Sequence, residues 1–199
     1  MNNYEREIHS DPYSATVREA LTLRSCKPST AYEKLAEVAA MGSPMANMIL
    51  GDAHLMGRNG LTKDEDQGER FLRRASKLGS LEGAFRLARY LEAKKLNSEA
   101  IQIYENLSEA RFAPAAFVLG VSYTKGTFTE KDLDLGTRYL KVAADEGHLH
   151  AKDWLAQLVL ESEASFPELS KALATRLLLK KRIQNLTQSD PASDLIRTG

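Results

Sequence analysis

Residues 113–147 read APAAFVLGVSYTKGTFTEKDLDLGTRYLKVAADEG. Ala115, Leu119, Gly120 and Tyr123 fall three to four residues apart or adjacent, the spacing of one face of an α-helix. After a break at Gly126 to Lys131, the residues Gly136, Tyr139, Leu140, Ala143 and Ala144 resume that period. Gly147 then closes the run, as expected of a residue that ends a helix in the left-handed region. Pro114 stands at the first helical position, where its missing N–H leaves no bond unmade. The stretch predicts two helices, A and B, joined by a loop.

The same pattern recurs along the chain. Gly147 has counterparts at Gly42, Gly79 and Arg111, with successive separations of 37, 32 and 36 residues. Ala46, Gly83, Ala115 and Ala151 keep those separations, as do Leu50, Leu87, Leu119 and Leu155, and also Ala31, Gly68, Ala100 and Gly136. Columns that move in step mark an internal repeat, and this period means stacked helical units that cover one another. The short separation sits in one loop: Ala93 to Asn97 is shorter than Gly57 to Asp64 or Gly126 to Lys131. Ser43-Pro44 repeats the proline start, and Thr62 with Glu65 has capping-box spacing. Arg111 interrupts the glycine column, so an irregular or less stable corner is expected there.

The ends follow by extension. Asp11-Pro12 reads as a cap with proline at N1, opening a degenerate first unit over 11–42. Full units then cover 43–79, 80–111 and 112–147. A last unit or cap spans 148–186, with a helix from Glu168 to Leu186. Residues 1–10 read as a polar segment. Residues 187–199 read as a disordered tail in which Leu195-Ile196 is the one apolar pair. The fold class predicted is all-α: a right-handed superhelical solenoid of about five antiparallel helix pairs, forming a single elongated domain.

Composition limits the function. Lys+Arg and Asp+Glu both number 27, so the net charge is +0. Bulk charge gives no pull toward nucleic acid or an anionic membrane. Cys26 is the single cysteine, which excludes an intramolecular disulfide framework. With no signal-like apolar start and no run long enough to span a bilayer, a cytoplasmic protein without membrane insertion is expected. His148 and His150 stand two apart, pointing different ways on a helix, without the further ligands a metal requires. They read as a solvated turn. Gly57-Arg58-Asn59-Gly60 lacks the lysine and hydroxyl residue of a phosphate loop. No cofactor, catalytic group or small-molecule substrate is expected.

The repeat resembles the Sel-one-like repeat (SLR) family, a relative of the tetratricopeptide repeat. The residues that carry the resemblance are Ala115, Leu119-Gly120, Tyr123, Gly126, Tyr139, Ala143-Ala144 and Gly147. Ala46, Leu50-Gly51, Gly57, Phe71, Ala75 and Gly79 match likewise, with His54 in place of the tyrosine. The resemblance implies an adaptor or scaffold that binds proteins, of a kind common in bacteria. It also implies that helix A lines a concave surface.

On that surface the face of helix A opposite its core columns carries Met48, Asp52 and Leu55. The equivalents are Phe85, Arg89 and Glu92, then Phe117, Val121 and Thr124, then Gln157 with Asp153 and Leu160. Met48, Phe85 and Phe117 are expected to form an apolar strip about 20–30 Å long, given helix spacings of about 8–10 Å. The function expected is an adaptor that holds a protein segment in this groove. The alternative is a non-catalytic subunit bound constitutively to an enzyme or membrane-associated complex.

Overall fold

The computed structural model describes residues 2–58, 60–162 and 165–189. The described residues form eleven α-helices and no strand. They are α1 (Asn3–Ser10), α2 (Ser14–Leu23), α3 (Pro28–Ala40), α4 (Pro44–Met56), α5 (Glu65–Lys77) and α6 (Leu81–Ala93), then α7 (Asn97–Glu109), α8 (Ala113–Lys125), α9 (Leu133–Asp145), α10 (Leu149–Leu160) and α11 (Phe166–Ser189). Four of the predicted helix pairs form within these elements: α2 with α3, α4 with α5, α8 with α9 and α10 with α11. The chain divides into two compact units, Met1–Lys94 and Lys95–Gly199, with the division inside the sequence unit 80–111.

Helices within a pair approach closely because glycine faces the partner. In the first unit a Cβ on Gly51 would lie 2.7 Å from Leu72 Cγ, and one on Gly68 would lie 2.6 Å from Leu55. In the second unit a Cβ on Gly120 would meet Leu140 Cγ at 2.6 Å, and one on Gly136 the Thr124 backbone nitrogen at 2.8 Å. Such distances leave no room for a methyl group, so the columns of small residues are where backbones meet. Both of these pairs also carry a stacked aromatic rung. His54 lies over Phe71 with centroids 5.5 Å apart, and Tyr123 over Tyr139 at 5.8 Å. His54 thus fills the role of the repeat's tyrosine.

The corners between pairs share one hydrogen-bond pattern. In the first unit Gly79 N–H donates to Ser76 O and Ser80 N–H to Ala75 O, both at 3.0 Å. In the second, Arg111 N–H donates to Ser108 O at 3.0 Å and Phe112 N–H to Leu107 O at 2.9 Å. The expected irregularity at Arg111 is absent. Arg111 adopts φ 60°, in the left-handed region shared by Gly42, Gly79 and Gly147. The two corner bonds hold the backbone there despite the Cβ, at a cost of about 1 kcal/mol. Most corners then start the next helix with a side-chain cap. Ser43 accepts from Ala46 N–H, Ser80 from Gly83 N–H, and His148 Nδ1 from Ala151 N–H.

Three boundaries differ from the sequence reading. Asp64 caps α5 by accepting from Gln67 N–H at 2.9 Å, so Thr62 is not the cap. Pro12 lies in a turn before α2 rather than at its first position. Thr187 to Ser189 continue α11, while residues 190–199, with Leu195-Ile196, lie outside the described residues.

The polar segment 1–10 is the largest departure, because Asn3–Ser10 of it is helical. Asn2 caps α1 by accepting from Glu5 N–H at 2.8 Å, and Ile8 is buried against the first unit. Two carboxylates fasten this end of the chain. Glu7 accepts from Ser80 Oγ at 2.5 Å and from Glu82 N–H at 2.8 Å. Asp11 accepts from Ser43 Oγ at 2.8 Å and from Met45 N–H at 3.0 Å. The two acids therefore sit on the N-termini of α6 and α4, where negative charge and acceptors are both favoured.

Candidate partner-binding site

The interior helices A are covered on more sides than a single core stripe allows. Eight of the thirteen residues of α4 are buried, and ten of the thirteen of α8. Their sequences carry the signal: α4 has one carboxylate, Asp52, and α8 has no charge before Lys125. A helix apolar all round is a buried helix.

This corrects the apolar strip. Met48, Phe85 and Phe117 are 1 %, 2 % and 5 % exposed, so each is a core residue of its own unit. Phe117 belongs to a cluster with Ala116, Leu140, Ala143, Ala144 and Ala151, and its ring stacks on His148 at 4.5 Å. Val121 packs against the same cluster. His148 is fully buried as the α10 cap and His150 is half-buried beside it, so the pair is an aromatic step and not a solvated turn. Burial lowers the His150 pKa, against the opposing pull of Asp153. Among the described residues no group of three His, Cys, Asp or Glu could hold a metal ion.

The remaining expected residues divide. Leu55 is half-buried against Gly68 of α5. Arg89 is exposed and Glu92 half-buried, and neither lines a cleft described below. Met48 and Asp52 line one cleft, and Thr124 and Gln157 another.

The cleft of the second unit encloses about 430 Å³ between α8, α10 and α11. Its charges are matched internally. Arg176 grips Asp153 at 2.9 Å, Lys125 lies 4.5 Å over the Trp154 ring, and Gln157 bonds Glu161. The Arg176–Asp153 pair fastens α11 on α10, and Lys125 ties α8 to α10.

The cleft of the first unit encloses about 510 Å³. Its floor is Met48, Ile49 and Ala53 of α4, and Tyr4 of α1 and Tyr32 of α3 form walls. Arg24 and Ser25 stand at the end of α2, Arg58 follows α4, and Arg86 comes from α6. Arg86 is fixed between Asp52 and Glu82, bonding Glu82 at 2.9 Å. Among the described residues the Arg24 and Arg58 guanidiniums make no ion pair. Burial pushes the Tyr4 phenol pKa up, opposed by Arg86 and Arg24, so both cations act on this wall. Sequence reasoning missed Tyr4, Arg24, Arg58 and Arg86, because they come from four segments with no shared period.

Two stretches of the chain, 44–80 and 113–148, match the model of the Sel1 repeat. These two stretches are Sel1 repeats. Solved structures agree on the fold. A Sel1 repeat protein from Oxalobacter formigenes is 21 % identical, with TM-score 0.74 over 88 % of this chain and 76 % of that one. The protective antigen c5321 of uropathogenic Escherichia coli, which displays an SLR fold, is 18 % identical with TM-score 0.65. That match covers 85 % of this chain and 38 % of the antigen. A putative Sel1 repeat protein from Klebsiella pneumoniae is 19 % identical with TM-score 0.53, over 92 % and 97 % of the two chains. The sequence has no match among curated proteins. Sel1 repeats generally serve as scaffolds for binding other proteins. Among the described residues no helix is long and apolar enough to cross a membrane.

Proposed function

We propose that this Sel1 repeat protein is a non-catalytic interaction scaffold that receives a segment of a partner protein in the cleft of its first unit. One observation carries the reading. A concavity of about 510 Å³ lies beside α4, with an apolar floor and charged groups around its rim. That volume is in the range of sites that accept specific ligands, about 300–1,000 Å³. An apolar floor under a polar rim is also the usual layout of a protein-binding patch. The second unit's cleft is less suited, because its Asp153 and Arg176 are spent on each other and its Lys125 lies over Trp154.

The test is peptide selection by the full chain, followed by a block of the cleft. Ser25 is exposed at the lip, so Ser25→Trp fills the entrance without touching the core. Peptides selected on the parent chain are expected to lose at least about tenfold in affinity for Ser25→Trp, as when a central contact is removed. Selected peptides that bind both chains equally would show that the cleft is not the site.

A further inference from the structure

We infer that the segment received by this cleft is acidic, docking a carboxylate side chain on Arg24 and Arg58 beside the fixed Arg86. The inference rests on the cleft being the partner site. Its own support is a charge balance that the overall composition hides. The whole chain is neutral, but the cleft lining holds three guanidiniums and a single carboxylate, Asp52. Asp52 and the buried Glu82 both bind Arg86. That leaves Arg24 and Arg58 as the uncompensated charges, coming from separate elements at the rim of one concavity.

The pairing of Arg86 has a consequence. Its guanidinium is held by Asp52 and Glu82, so it fixes a positive charge beside the cleft. Arg24 and Arg58 are exposed and can swing onto an incoming group. Planar guanidiniums favour carboxylate oxygens, which they engage two bonds at a time. A basic partner segment would instead meet like charge, which costs affinity and slows encounter. Nucleic acid is disfavoured, because two free arginines cannot follow a phosphate backbone.

The first unit also binds two carboxylates of its own chain, through serine hydroxyls and helix N–H groups rather than guanidiniums. Glu7 and Asp11 occupy the N-termini of α6 and α4. With those positions filled, the arginine rim is what remains for a partner.

The experiment uses the full chain and three fluorescent peptides of alternating residues: Glu with Leu, Gln with Leu, and Lys with Leu. The Glu peptide is expected to bind most tightly, and to weaken several-fold as NaCl rises from about 20 to about 200 mM, over which screening tightens. Arg24→Glu with Arg58→Glu should weaken the Glu peptide by at least about tenfold and turn the preference toward the Lys peptide. Arg24→Gln with Arg58→Gln should lie between. Circular dichroism checks that both double variants keep their helices, as exposed positions should. Equal binding of Glu and Gln peptides, or indifference to charge reversal, would overturn the inference. The reading of the cleft as the partner site would still stand if Ser25→Trp blocked the selected peptides. Displacement of the Glu peptide by millimolar inorganic phosphate or free glutamate would also overturn it, since the cleft would then be a site for small anions.

Discussion

Gly120→Ala tests the packing that places every other residue. The added Cβ would lie 2.6 Å from Leu140 Cγ, 2.9 Å from Cδ2 and 2.9 Å from the Leu140 backbone nitrogen. Carbon contacts settle at about 3.5–4.0 Å, so α8 and α9 must part by roughly 1 Å or Leu140 must leave its rotamer. Leu140 is fully buried, so a new rotamer has no empty space to enter. The backbone nitrogen cannot move without its helix. Overpacking of this kind costs about 1–3 kcal/mol. Alanine in place of glycine inside a helix returns about 1 kcal/mol. The net expectation is a loss of up to about 2 kcal/mol, against the direction of helix propensity. Urea unfolding followed by circular dichroism measures it as a lower midpoint at unchanged slope. Gly51→Ala, facing Leu72 in the same way, should repeat the result. A variant as stable as the parent would refute the idea that glycine sets the helix approach.

Three further outcomes are expected. Arg111→Gly should exceed Arg111→Ala in stability by about 1 kcal/mol, since both lose the exposed pair with Glu146 and only glycine relieves the left-handed backbone; equal midpoints would mean that the corner stores no strain. Phe117→Ala should cost about 3–5 kcal/mol in thermal or urea unfolding as a core truncation, whereas a partner-facing residue would leave stability unchanged. For Glu7, burial outweighs the hydrogen bonds from Ser80 and Glu82 and raises its pKa above the ordinary 4.5. The folded state therefore holds this proton more tightly than the unfolded chain, and the group's contribution to stability is full below 4.5 and declines as pH rises through the raised value. An NMR titration of the Glu7 side chain should show its midpoint above 4.5, and a midpoint at or below that would contradict the buried setting.

Much of the helical framework could be read without the structure. The alanine, leucine and glycine columns mark helix faces, and the loop lengths place the breaks. The helices from α2 to α11 follow, because each is specified by residues within one repeat. The candidate site was legible in part. Met48, Asp52, Thr124 and Gln157 do line clefts, but Phe85 and Phe117 do not. The angular argument treated helix A as having one buried stripe and one open side. Counting charges along α8 would have shown that it has no open side.

The sequence by itself determined the repeat, the all-helical class and the small residues at each close approach, because these depend on local period and side-chain size. Tertiary structure decided which faces stay open, because burial depends on how many neighbours surround a helix and not on its own periodicity. It also decided that the polar start folds as α1, since Glu7 and Asp11 gain their partners from Ser80, Glu82, Ser43 and Met45 far along the chain. The same holds for the arginine rim: Arg24, Arg58 and Arg86 share no spacing in sequence, and only the stacking of helix pairs brings them around one cleft.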